Sequence, residues 1–202
     1  MIGVHQSVAR EDDSPTDDRI VCLNATWADY QRLLELRGDC SSPRIAYLEG
    51  TVEIMTPSRT HGVLKSLLGR LVEVYCLHNQ IDFVTLGSWT LEDKTVQRGV
   101  EPDECYIFGS EETDRPHLAI EVIWTSGGLD KLQIYRKLRV REVWIWRKGR
   151  LVPHILVDEH YVSATRSEVL PGIDLAQLVS FLDRPTTSQA IREYRTALES
   201  KE

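Results

Sequence analysis

A chain of 202 residues, 42% apolar and 27% charged, has the composition of one ordinary globular domain, and its formal charge of −7 excludes a protein that holds nucleic acid by net charge alone. No apolar run approaches the ~18 residues that a membrane-spanning helix needs, so a soluble protein is expected. The four cysteines, Cys22, Cys40, Cys76 and Cys105, have neither CxxC nor zinc-like spacing and no signal-peptide core precedes them, which points to free thiols in a reducing cytoplasm.

Residues 1–19 are polar, acidic and poor in large apolar side chains. They bury too little to offset the entropy of ordering, so a disordered tail is expected there and a single folded domain over residues 20–202. "TWADYQRLLEL" predicts a short helix with Thr26 as N-cap and Asp29 closing a capping box. "RIAYLEGTVEIM" alternates on both sides of Glu49-Gly50 and predicts a hairpin. In "TPSRTHGVLKSLLGRLVEVYCLHNQ" the apolar residues Val63, Leu64, Leu67, Leu68, Leu71, Val72 and Tyr75 recur with helical period, opened by Ser58 or Thr60. Strand-like runs follow at 82–91 and 103–108, separated by the polar turn "DKTVQRG". "HLAIEVIW" at 117–124, "DKLQIYRKL" at 130–138 and "EVWIW" at 142–146 read as strand, helix and strand, a right-handed parallel crossover. "RLVPHILV" and "HYVSATRSEVL" continue a sheet, and helices near 174–182 and 187–199 close the chain. From Lys131 to Arg150 the bases face Glu142 alone, so this segment is locally positive in an acidic protein.

The strand at 117–124 is apolar almost throughout, as in a central strand covered on both faces, yet Glu121 stands in its middle. A lone buried carboxylate is costly, so Glu121 requires a cation, a metal or a proton as partner. Lys131 shares a helix face with Ile134, Tyr135 and Leu138, and the short "TSGG" loop brings that face near Glu121. Gly127-Gly128 reads as a flexible turn, since no phosphate-cradling glycine loop surrounds it. Asp103, at the head of "CYIF", falls beside Glu121 if the two strands are neighbours. Two adjacent carboxylates repel unless a dication bridges them, and magnesium prefers such oxygen donors. With a lysine alongside, this is equipment for phosphodiester hydrolysis. Glu101 and Glu104 read as solvated strand-end acids without a catalytic role.

The order Pro102-Asp103, Glu121 in "LAIEVIW" and then "DKLQIYRKLRVREVWIW" resembles the PD-(D/E)xK nuclease superfamily, and within it the Uma-two family of restriction-endonuclease-like proteins. The resemblance runs from about Thr26 to Leu182 and includes "LEGTVEIMTPSRTHG" and "LPGIDL". It implies an α/β restriction-endonuclease-like core, a central mixed β-sheet flanked by helices, and a DNA endonuclease using Mg2+, with Mn2+ as substitute. The superfamily's lysine lies two residues after the glutamate, where this chain has Ile123. The resemblance therefore implies that the lysine has moved to Lys131, with Asp103, Glu121 and the Ile123 backbone carbonyl as metal ligands. It also implies a homodimer, as is frequent among relatives. His61, in "TPSRTHG", and Glu53, on the preceding strand, are further candidates to line the site, although a histidine at a helix start is more often a surface residue. Trp144 and Trp146 share a strand face, which suggests base stacking but more simply core packing. The alternative to an enzyme is a non-catalytic nucleic-acid-binding or interaction module on the same fold, using the basic segment 131–150. A hydrolase of smaller phosphates is the third reading.

Overall fold

The structure is a computed structural model that describes residues 3–5, 16–87, 89–110, 113–124 and 128–200. Its strands form two six-stranded sheets. The first holds β1 (Gly3–His5), β2 (Asp18–Leu23), β3 (Arg44–Leu48), β4 (Thr51–Thr56), β6 (Leu91–Asp93) and β7 (Arg98–Val100), in the order β1-β2-β4-β3-β7-β6 and antiparallel throughout. The second holds β5 (Phe83–Thr85), β8 (Glu104–Phe108), β9 (Leu118–Val122), β10 (Glu142–Arg147), β11 (Arg150–Val157) and β12 (His160–Ser163), in the order β12-β11-β10-β9-β8-β5. This sheet is mixed, because β9 and β10 run parallel while its other pairs are antiparallel. Among the described residues five helices complete the fold: α1 (Trp27–Arg37), α2 (Arg59–His78), α3 (Lys131–Lys137), α4 (Leu175–Val179) and α5 (Thr187–Glu199).

Local chemistry explains most of these elements. Thr26 caps α1 and Asp29 returns the bond, a complete capping box. Ser58, rather than Thr60, caps α2. The β3–β4 hairpin turns on Glu49 and Gly50, both at positive φ (46° and 84°), as a two-residue primed turn requires. The α3 crossover joins the parallel strands β9 and β10.

The mixed sheet is covered on both faces. On one, Tyr106, Leu118, Ile120, Trp144 and Trp146 pack against α2, α4 and α5. On the other, Ala119 and Val143 meet Ile134, Tyr135 and Leu138 of the α3 region together with Ala46, Leu91 and Val100 of the antiparallel sheet. A third cluster, Tyr30 with Ile45, Tyr47 and Val52, seats α1 on the antiparallel sheet. The expected mixed central sheet with flanking helices is present, and a second sheet stands beside it.

Three expectations change. The run 82–91 is two strands in different sheets, β5 and β6, because the chain leaves the mixed sheet after Thr85. Of "HYVSATRSEVL" only His160–Ser163 is strand. The ordered chain begins before residue 20, with Asp17 buried, Asp18 and Arg19 in β2, and Gly3–His5 paired to β2. The disorder expected for the remainder of residues 1–19 concerns residues 1, 2 and 6–15, which lie outside the described residues, as do residues 125–127 of "TSGG". All four cysteines are free thiols.

Candidate active site

Every residue of β9 is buried, and Glu121, fourth in the strand, is only 4% exposed. The β8–β9 register pairs Glu104 with Ile120, which places Asp103 across from Glu121, one step beyond. Asp103 is 1% exposed, and its Oδ2 accepts the Val122 N–H at 2.8 Å. Its Oδ1 lies 2.9 Å from His61 Nε2 and 3.0 Å from Arg44 Nη1. Arg44 also donates to the carbonyls of Glu101 and Pro102, so the backbone leading into Asp103 wraps a guanidinium.

Burial alone would raise the Asp103 pKa. The His61 hydrogen bond, the Arg44 charge and the Val122 amide outweigh it and hold this carboxyl below the usual carboxylate range. His61 itself is 1% exposed, with Nδ1 2.8 Å from Asp17 Oδ2. Burial disfavours its charge, but its bonds to Asp103 and Asp17 prevail and push its pKa up to about 9. His61 is therefore an imidazolium near neutral pH, with each ring N–H donating to a carboxylate. Asp17 also accepts the Ser58 N–H, which ties the segment before β2 to the start of α2.

Glu121 behaves differently. Burial and the neighbouring Asp103 charge raise its pKa, against Lys131 and the Tyr135 hydroxyl, which lower it. Tyr135 donates to Glu121 Oε1, and Lys131 Nζ stands 3.7 Å from the same oxygen. Lys131 opens α3 after the Asp130 cap, and Tyr135 follows one turn later on the same face, so a single helix delivers both partners.

Glu53 pairs with Arg19 at 3.2 Å and accepts the Leu129 N–H at 2.9 Å, which fixes the entry to α3. Gly128 has a packing reason beyond a flexible turn, since a β-carbon there would fall 2.5 Å from Glu53 Oε2 and 3.0 Å from Arg19 Cζ. These groups surround an open cavity of about 160 Å³ lined by Arg19, Glu53, Glu121, Ile123, Lys131 and Arg147, among others.

The structure thus brings Glu121, Lys131, Glu53 and Ile123 onto one cavity, while Asp103, across the strand pair from Glu121, lies buried behind that lining with its oxygens on His61, Arg44 and the Val122 N–H. His61 is not the surface residue that its position at a helix start suggests. Glu101 is not solvated: it is buried and accepts from Arg37, the Ile45 N–H and Thr90, a tie between β3 and the approach to β8. Glu104 sits against Lys65 at 3.5 Å. Trp144 and Trp146 belong to the core, Trp144 bonded to the buried Glu142 and Trp146 stacked on Trp124. Sequence reasoning missed Asp17, Arg19 and Arg44, took Arg147 only as one base of the positive segment 131–150, and missed Tyr135 as a partner of Glu121. Only Tyr135 carried a local signal, one helical turn from Lys131.

No curated protein matches the chain. A family model does, that of Uma2, described as "Putative restriction endonuclease", over residues 27–183, and the chain belongs to this family.

Proposed function

We propose that the protein is a divalent-metal-dependent endonuclease that hydrolyses DNA phosphodiester bonds. The observation that carries this reading is the Asp103 and Glu121 pair on adjacent strands, with Lys131 Nζ 3.7 Å from Glu121 at the mouth of a cavity. The family description supports it.

The donor set suits magnesium, with manganese as substitute. Asp103, Glu121 and the Ile123 carbonyl are hard oxygen donors, and a glutamate pKa raised by burial and by a second acid marks a place where added positive charge is stabilising. Among the described residues no group of three or more His, Cys, Asp or Glu could hold a metal by itself. Mg2+ takes as few as one or two carboxylates and completes its shell with water and substrate phosphate, so the reading needs no third acid. When bound, the ion would acidify a water and neutralise charge on phosphorus. The remaining work falls to side chains. Lys131 offers a fixed ammonium to the charge that develops on the phosphoryl oxygens or the leaving group. Tyr135 orients Glu121, while Arg44 and His61 keep Asp103 ionised and immobile. Glu53 holds the entry to α3, the helix from which Lys131 reaches in.

The test is nicking of supercoiled plasmid by the purified full chain. Cleavage is expected with Mg2+ or Mn2+ and lost in EDTA, and Glu121→Gln and Lys131→Ala should each slow it at least about 100-fold with unchanged circular dichroism. Absence of nicking by the unmodified protein on any form of DNA overturns the reading. A second reading, a non-catalytic nucleic-acid-binding module, draws on Arg136, Lys137 and Arg139 around a separate surface cavity. It requires salt-sensitive DNA binding that survives Glu121→Gln and weakens in Arg139→Ala.

A further inference from the structure

We propose that Arg147 is the DNA-backbone contact of this cavity, its guanidinium binding a non-bridging oxygen of a phosphodiester. The inference rests on the nuclease reading and adds a residue that supplies substrate affinity rather than chemistry. Strand geometry places it. In the parallel β9–β10 pair, Ile145 stands beside Glu121 and Trp146 beside Val122, so Arg147 comes level with Ile123. Residues two apart project to the same face, and Arg147 therefore shares the face of Glu121, at the open end of the strands. Val143 and Ile145, its predecessors on that face, pack inward, whereas Arg147 is exposed and lines the cavity.

Charge singles it out as well. The cavity is lined by two acids, Glu53 and Glu121, and three bases. Arg19 pairs with Glu53 at 3.2 Å and Lys131 faces Glu121 at 3.7 Å, which leaves Arg147 with no ion-pair partner among the described residues. The lining side chains thus include one base that no acid of the described residues pairs with, free to meet the negative charge of a phosphodiester. A guanidinium also matches phosphate oxygens in shape, with parallel N–H donors. At about 160 Å³ the cavity is smaller than the ~300 Å³ or more of a site that encloses a whole small ligand. It is open on its outer side, so a phosphodiester group can enter while the rest of a polymer lies outside.

The experiment measures binding of the full chain to a fluorescent DNA duplex of about 30 base pairs by anisotropy in EDTA, over a series of salt concentrations. It is paired with plasmid nicking in Mg2+. Arg147→Ala is expected to weaken binding about tenfold whatever the DNA sequence, and to reduce the slope of log K against log salt by about 1. Arg147→Lys should retain part of the affinity. In nicking, KM should rise in Arg147→Ala with kcat nearly unchanged. Because Arg147 is exposed, melting temperature should not move. Equal affinity and equal salt slope in Arg147→Ala, with the unmodified protein binding and cutting, overturn this inference and leave the nuclease reading standing. Binding that depends on Arg147 without any cleavage supports the contact and removes the nuclease reading. Absence of both binding and cleavage in the unmodified protein overturns both.

Discussion

His61 donates to Asp17 on one side and to Asp103 on the other, inside the protein, at 2.8 and 2.9 Å. A folded-state pKa raised from 6.5 to about 9 makes this a pH-dependent stabilisation. It is present in full below the unfolded value near 6.5 and is lost as pH climbs through 9, and its size is on the order of 3 kcal/mol. Asp17 and Asp103, whose pKa values are lowered, contribute in the opposite sense, with stability that disappears as pH falls through the carboxylate range. The melting temperature of the unmodified protein should therefore decline between pH 6.5 and 9, and His61→Asn should flatten that decline as well as lower the starting value. Identical slopes in the two proteins would falsify the imidazolium assignment. Glu121 and Lys131 were legible as candidates because each breaks a local pattern, an acid in an apolar strand and a base on an apolar helix face. His61 breaks none. Its partners lie 44 and 42 residues away, and only tertiary contact reveals them.

At the scale of elements, the legible features are those whose causes lie within a few residues. The capping box of α1, the primed turn at Glu49-Gly50 and the apolar stripe of α2 are local, and the chain forms them where expected. The run 82–91 misleads because its strand-like composition persists while the backbone passes from one sheet to the other. Gly99 in β7 is likewise silent in sequence. A β-carbon there would lie 2.2 Å from Tyr30 Oη and 2.4 Å from its Cζ, and that ring is fully buried between Trp27 and Tyr47. The absence of a side chain at 99 lets α1 sit down on the antiparallel sheet. Gly99→Ala should cost about 1–3 kcal/mol and lower the melting temperature by roughly 5 °C, measured by thermal denaturation. A melting curve that coincides with the parent's would mean that Tyr30 moves aside freely.

For the molecule as a whole, the start of β2 and the residue just before it belong to the site. Asp17 holds His61 and the Ser58 N–H, and Arg19 holds Glu53. A chain beginning at Ile20 leaves His61 and Glu53 without these partners. Compared with one beginning at Thr16, it should lose about 3 kcal/mol and melt on the order of 10 °C lower, with Asp17→Asn alone giving a large share of that loss. Equal melting of the two truncated chains excludes this role for Asp17 and Arg19.

The sequence by itself determined the α/β class, the order of most elements, the family, and the acids and lysine worth testing, because periodicity, capping and turn chemistry act over short stretches. Tertiary structure alone decided that there are two sheets, that Arg44 and His61 grip Asp103, that Asp17 closes the cluster, and that Arg147 reaches the cavity. Each of these depends on which strands lie side by side, and burial raises the strength of a charge contact only after distant segments have excluded water from around it.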